Sequence, residues 1–319
     1  MGLFGDEVQP AEVPADVASL AEGLPPTLYV GTSSWSFPGW QGLVYKHAAE
    51  SSTLARDGLR AYAQHPLLRA VGVDRTYYGP VSSEVFAAYA DQVPLGFRFL
   101  VKAHDHLTIP RFANHPRHGE LAGQDNPRFL DPSYAREHVI GPAVEGLGVR
   151  LGTVLFQFPP LAVGEAGGPE RLAERLHRFL DALPVGPHYA VELRTAGWLT
   201  PSYATALVET GSSHCYVVHP RMPSIQEQIA LVKGGARHGL VARWMLRPDL
   251  DYEAAKARFA PFRSLAAPDE GAREQLARLI DLALGRDKEV MVIINNKAEG
   301  SSPLSVIELI RAIQRRRRG

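Results

Sequence analysis

Eight short apolar runs, spaced along the whole chain and each ending in polar or charged residues, constrain this sequence more than any other feature. They read 28–35 (LYVGTSSW), 70–78 (AVGVDRTYY), 96–104 (GFRFLVKAH), 151–158 (LGTVLFQF), 188–194 (HYAVELR), 214–219 (HCYVVH), 240–247 (LVARWMLR) and 290–296 (VMVIINN). Segments with helical period separate most of them, at about 53–65, 83–92, 133–146, 169–182, 201–211, 252–262 with 270–285, and 303–315. Caps ahead of a proline or first turn mark several starts: Ser82 or Ser83, Asp131-Pro132, Thr200-Pro201 and Ser302-Pro303. A βα unit repeated eight times predicts an α/β fold of the (β/α)8 TIM-barrel class.

Parallel strands closed into a barrel bring all their C-terminal ends to one face, where the connecting loops build a site. On this chain that face is expected to collect Thr32, Ser33, Ser34, Trp35, Asp74, Thr76, Tyr78, Lys102, His104, Gln157, Glu192, Arg194, His219, Arg243, Asn295 and Asn296. The connection 105–131, with His106, Arg111, His115, Arg117 and His118, is long for a compact domain and reads as a lid. A second long connection, 220–239, carries Arg221, Lys233, Arg237 and His238 and is expected on the same face.

A chain of 319 residues with 45% hydrophobic content can form such a barrel as one domain, here 27–319. Residues 1–26 hold Asp6, Glu7, Glu12, Asp16 and Glu22, no Lys or Arg, and four prolines, and are expected to form a loosely attached, solvated arm. At the other end Arg315 to Arg318 read as a solvated helix end, with phosphate contact as the alternative. The 34 basic and 34 acidic residues balance, so nothing global steers the protein to nucleic acid or an anionic membrane. No apolar run approaches the ~20 residues of a membrane span, and no basic region leads an apolar stretch at the N-terminus. The expectation is a soluble, cytoplasmic protein, with its single cysteine, Cys215, reduced and buried in the core.

With the strand ends in view, the sequence resembles the YecE-like family, domain of unknown function 72. Gly31-Thr32-Ser33-Ser34-Trp35 with Trp40 and Gly42 is similar to its opening motif, and Thr76-Tyr77-Tyr78 with Pro80 to the end of its second strand. Phe97-Arg98-Phe99 with Lys102, Leu155-Phe156-Gln157 with Pro159-Pro160, Glu192-Leu193-Arg194 with Trp198, and Asn295-Asn296 near Gly300 follow in the family's order. The chain departs from the pattern at Gly72 and Asp74, where Glu and Asn are usual, at Ser34, at His219, and at Met245 two residues after Arg243. The resemblance implies a barrel with a pocket at its mouth and names no reaction.

The chemistry of the expected mouth is that of an anion site. Lys102, Arg194 and Arg243 supply cations, and Gln157, Asn295 and Asn296 supply amides that fill remaining acceptors. Thr32, Ser33, Thr76 and His219 add polar contacts, and Trp35, Tyr78 and Trp198 offer faces to a ring, unless they cover the top of the barrel. Glu192 and Asp74 are the candidate catalytic carboxylates. Glu192 lies two residues from Arg194 on one strand face, so a permanently ionised partner is the other reading. A metal reading draws on His104, His106, Glu192 and His219, but the strand ends offer fewer carboxylate and histidine ligands than metal-dependent barrels use, so no metal or other cofactor is assigned. The leading expectation is therefore an enzyme or binding protein for a small anionic, sugar-like molecule. A nucleic-acid-binding or phosphodiester-cleaving barrel, and a scaffold without catalysis, are the alternatives.

Overall fold

The computed structural model describes residues 8–162 and 164–318. Eight parallel strands, β1 (Leu28–Thr32), β2 (Ala70–Val73), β3 (Arg98–Lys102), β4 (Leu151–Gln157), β5 (Tyr189–Glu192), β6 (Ser213–Val218), β7 (Leu240–Trp244) and β8 (Val290–Ile294), close in sequence order, with β8 returning to β1. Helix α1 (Ala15–Ser19) precedes the barrel. Outside it follow α2 (Ser51–Asp57), α3 (Leu59–Tyr62), α4 (Ser83–Ala90), α5 (Pro132–Ala135), α6 (Gly141–Leu147), α7 (Pro169–Asp181), α8 (Pro201–Glu209), α9 (Ile225–Leu231), α10 (Tyr252–Phe259), α11 (Glu270–Leu284) and α12 (Ser302–Arg318). Among the described residues no helix is long and apolar enough to cross a membrane.

Strand side chains alternate between the barrel interior and the helix layer. Tyr29, Ala70, Leu100, Leu155, Ala190, Cys215, Val241, Met291 and Ile293 fill the interior as one cluster. Further along the same inward faces, at the C-terminal ends, stand Ser33, Asp74, Lys102, Gln157, Glu192, Arg243 and Asn295, so the apolar plug gives way to a polar layer on seven of the eight strands, β6 keeping Val217 there. Gly31 is required where β1 meets β2, since a Cβ there would stand 1.7 Å from the Ala70 carbonyl oxygen.

The structure places helix α9 within the connection 220–239. Its signal is a capping box: Ser224 Oγ accepts from Glu227 N at 3.3 Å, and the Glu227 carboxylate accepts from Ser224 N at 2.8 Å. The helix carries the chain back to the N-terminal end of the barrel, where Gly235 O accepts from His214 N at 2.8 Å. Lys233, Arg237 and His238 therefore lie at the end opposite the mouth, and only the start of this connection, with Arg221, belongs to the mouth.

From residue 8 the expected loose arm is docked. Ala11 N donates to Val44 O at 2.9 Å, Val17 is buried, Arg311 of α12 pairs with Asp16 at 2.7 Å, and Gln314 Nε2 donates to Leu20 O at 2.8 Å. Val8, Val13, Leu20 and Leu24 supply an apolar face that outweighs the segment's acidity. The portion of that expectation falling on residues 1–7 lies outside the described residues. At the C-terminus α12 continues through the arginines, with Arg316 paired to Glu274 and Arg317 3.8 Å from Asp281 on α11.

Candidate functional site

The polar layer at the mouth is built on Glu192. Its side chain is fully buried, and both oxygens meet guanidinium groups: Oε2 accepts from Arg243 Nη1 at 2.8 Å, and Oε1 contacts Arg194 Nη2. Cys215 Sγ lies below, 3.7 Å from Oε2. Burial alone would raise the Glu192 pKa, but Arg194 and Arg243 outweigh it and hold the carboxyl at about 2. Glu192 is thus an ionised partner, and a weak proton acceptor near neutral pH.

Arg243 is the hub. It is 1% exposed, donates through Nη1 to Gln157 Oε1 at 3.2 Å as well as to Glu192, and reaches Asp74 Oδ1 through Nη2 at 3.4 Å. Beside it stands Lys102, 8% exposed, its Nζ 3.7 Å from the centroid of the Tyr77 ring. No carboxylate lies within ion-pair distance of this ammonium among the described residues. Burial lowers Lys102 to about 8, and the nearby Asp74 and Glu192 carboxylates only partly offset that burial and the neighbouring guanidiniums. Within this inward layer three cations, Lys102, Arg194 and Arg243, therefore face two carboxylates, Glu192 and Asp74, leaving one excess positive charge.

His219 closes one side. Its Nδ1 accepts from Arg221 N at 3.2 Å, and burial with Arg194 nearby lowers the imidazole to about 3, so it is neutral. On another side Asn295 Nδ2 donates to Ser33 Oγ at 2.9 Å. The loop after β3 folds over this region rather than standing away from it. Asn126 Nδ2 donates to the His106 and Ile109 carbonyls, each at 2.6 Å, and Arg117 pairs with Asp105 at 3.0 Å while its guanidinium lies 6.0 Å from the Tyr77 ring.

Of the residues anticipated from sequence, Asp74, Lys102, Gln157, Glu192, Arg194, His219, Arg243, Ser33 and Asn295 come together. Thr32, Thr76, Trp35, Trp198 and Asn296 serve the scaffold instead. Thr32 Oγ1 lies 2.8 Å from Tyr62 OH on the outer side of β1, and Thr76 Oγ1 donates to the Val73 carbonyl at 2.7 Å. Trp35 is buried against Tyr89, with its Nε1 donating to Ala55 O at 3.3 Å, and Trp198 Nε1 donates to Leu161 O at 3.4 Å. Asn296 Oδ1 accepts from Ser302 N and Ser302 Oγ, both at 2.8 Å, and from Trp40 Nε1 at 3.2 Å, which makes it the cap of α12. Tyr78 points outward at 73% exposure, and the aromatic wall of the mouth is its neighbour Tyr77. The tight turn Arg75–Tyr77 directly after β2 breaks strand alternation, so side-chain parity does not carry through to these tyrosines.

Surface grooves lie elsewhere too: about 740 Å³ between α7 and α8, about 440 Å³ between α9 and α11, and about 390 Å³ around His65 and Arg69. None is lined by the inward charged groups of the mouth. Gly72 stands in that interior, where a Cβ would meet Ser33 Cα at 3.3 Å and Ile293 Cγ2 at 3.5 Å. A glutamate at this position would need its neighbours to move.

The sequence matches the family described as "Protein of unknown function DUF72" over residues 29–319. The chain belongs to this family. Among solved structures it is similar to a DUF72 family protein from Enterococcus faecalis, with 19% identity, a TM-score of 0.58, and coverage of 90% of this chain and 95% of that one. It is likewise similar to a DUF72 family protein from Thermotoga maritima, with 22% identity, a TM-score of 0.57, and coverage of 90% and 99%. A structure named SacUVDE shares the fold at 12% identity and a TM-score of 0.50, covering 90% and 98%. No curated protein matches the chain. The DUF72 assignment agrees with the strand-end motifs, and the shared fold extends across almost the whole chain.

Proposed function

We propose that the mouth of this DUF72 barrel binds a small anionic molecule, phosphorylated or carboxylated and of sugar-like size. The carrying observation is Lys102: a largely buried side chain whose ammonium stands over the Tyr77 ring, with no carboxylate in ion-pair distance among the described residues, in a layer with one excess positive charge. A buried charge left unpaired is costly, and an incoming phosphate or carboxylate offsets that cost while meeting donors already in place. Arg243 and Arg194 are held rigid by Glu192, so they present fixed positive charge to the ligand. Of the two carboxylates, Asp74 keeps access, with a side chain 34% exposed, and is the group placed for proton transfer if the ligand is transformed.

A nucleic-acid ligand is less favoured, because Arg111, Arg117 and Arg128 of the overlying loop are each paired with a carboxylate, Asp125, Asp105 and Asp131 respectively. The test is the melting temperature of the protein against phosphate, sugar phosphates, carboxylates and a short oligonucleotide, for the natural chain and for Lys102→Met. A ligand at 100 times its Kd adds about 2.7 kcal/mol. A shift produced by one small anion and lost in Lys102→Met supports the reading. A shift from the oligonucleotide alone, falling steeply with salt, replaces it with the nucleic-acid reading. No shift from any of them favours a scaffold role.

A further inference from the structure

A second cluster of ligating groups stands at the end of β3, outside the anion layer. His104, Asp105 and His106 each offer one ligand atom, and these atoms all lie within 4.8 Å of one another. His104 and Asp105 are buried, and His106 is partly so. The His104 Nδ1 is engaged with Tyr134 OH at 2.8 Å, which leaves Nε2, 3.6 Å from Asp105 Oδ1. The other Asp105 oxygen, Oδ2, meets Arg117 Nη2 at 3.0 Å.

We propose that His104, Asp105 and His106 form a site for a divalent transition metal of the zinc class, a property independent of the anion reading. Bonds of about 2.0–2.1 Å in tetrahedral geometry set neighbouring donors about 3.4 Å apart. The separation between His104 Nε2 and Asp105 Oδ1, 3.6 Å, is already close to this, and the His106 donor lies within 4.8 Å of those of the other two residues. Ligating histidines are usually held by a hydrogen bond at their other nitrogen, and Tyr134 OH supplies that to His104. The two imidazoles stack at 4.2 Å and 19°, and Phe112 packs edge-on to His106 at 4.8 Å, so the His106 ring must swing out of this stack for both lone pairs to reach one ion. Two imidazoles and one carboxylate favour zinc, cobalt or nickel over magnesium or calcium, which prefer oxygen donors. Three protein ligands leave a fourth position open, the pattern of exchangeable rather than structural sites. Arg117 and the metal compete for one carboxylate, so the ion pair with Asp105 sets the affinity.

The test uses the full chain, stripped with a chelator and titrated with zinc chloride by calorimetry and with cobalt chloride by visible absorption, in buffer free of phosphate. One equivalent of metal and a ligand-field spectrum of nitrogen and oxygen coordination are expected. His106→Gln and Asp105→Asn abolish both, Tyr134→Phe weakens binding by about 10- to 100-fold, and Arg117→Gln strengthens it. His106 is partly exposed, so His106→Gln is expected to fold, checked by its circular dichroism. Absence of saturable binding, or binding that survives in folded His106→Gln, overturns the proposal. Lys102→Met separates the two readings: it removes the response to anions and retains one equivalent of zinc.

Discussion

Glu192 Oε2 and Arg243 Nη1 lie 2.8 Å apart, both sealed from solvent, at the level where the apolar plug of the barrel ends and its mouth begins. This pair organises the mouth, because Glu192 also meets Arg194 and Arg243 also meets Gln157 and Asp74. Glu192→Gln leaves the buried Arg194 guanidinium without its countercharge and Arg243 with Asp74 alone, at 3.4 Å. Removing one partner of a buried pair costs about 3–5 kcal/mol, and urea unfolding of the variant should show a loss of that order. A loss below about 1 kcal/mol would show that Glu192 is not the structural anchor described here.

Acid should unfold the protein in two stages. Burial holds His214, hydrogen-bonded by its Nδ1 to Tyr203 OH at 2.9 Å, at about 4, below the ordinary 6.5. The unfolded chain takes up that proton first, so this contribution is full above pH 6.5 and is lost as pH falls toward 4, by up to about 3 kcal/mol. Glu192 acts lower: with its pKa depressed from 4.5 to about 2, its contribution is full above 4.5 and disappears as pH falls through 2. His65, His104 and His188, each lowered by burial to about 4, and His219, at about 3, add to this stage, so His214→Gln should reduce its slope in part and leave the second stage, measured as unfolding free energy against pH. An unchanged first stage would assign it to other groups.

Tyr77 and Tyr78 should behave differently although adjacent. Tyr77→Leu removes the ring under the Lys102 ammonium, an interaction worth about 0.5–2 kcal/mol, and should shrink the thermal shift caused by the mouth's anion. Tyr78→Leu should leave it unchanged. Equal effects from both would place the ligand at the rim instead of over Lys102.

The paired asparagines should separate in the same way. Asn296→Ala removes the acceptor that caps α12, costing about 1–2 kcal/mol in a denaturant melt with the anion response intact. Asn295→Ala breaks the hydrogen bond to Ser33 at the mouth and the one Asn295 Oδ1 accepts from Lys297 N at 3.0 Å, and should alter the anion response. A reversed pattern would show that Asn296 faces the ligand.

The order of elements was legible in the sequence because it is written in local periods. The alternation and spacing of the apolar runs marked all eight strands, and Asp131 and Thr200 marked their helix starts. Alternation also carries the inward series Asp74, Lys102, Gln157, Glu192, Arg243 and Asn295, since a side chain's face follows from its neighbours two residues away. Helix α9 was legible too, in Ser224 and Glu227, though its short apolar face hid it. What the tertiary structure alone decided are the relationships across strands and beyond strand ends. That Glu192 meets both arginines while Lys102 meets no carboxylate among the described residues depends on barrel closure, which brings β3, β5 and β7 to one layer. That Tyr77 lines the mouth while Tyr78 leaves it, and that Asn295 faces inward while Asn296 caps α12, depends on how the chain turns once strand geometry stops. Periodicity ends with the strand, and past it only packing determines where a side chain goes.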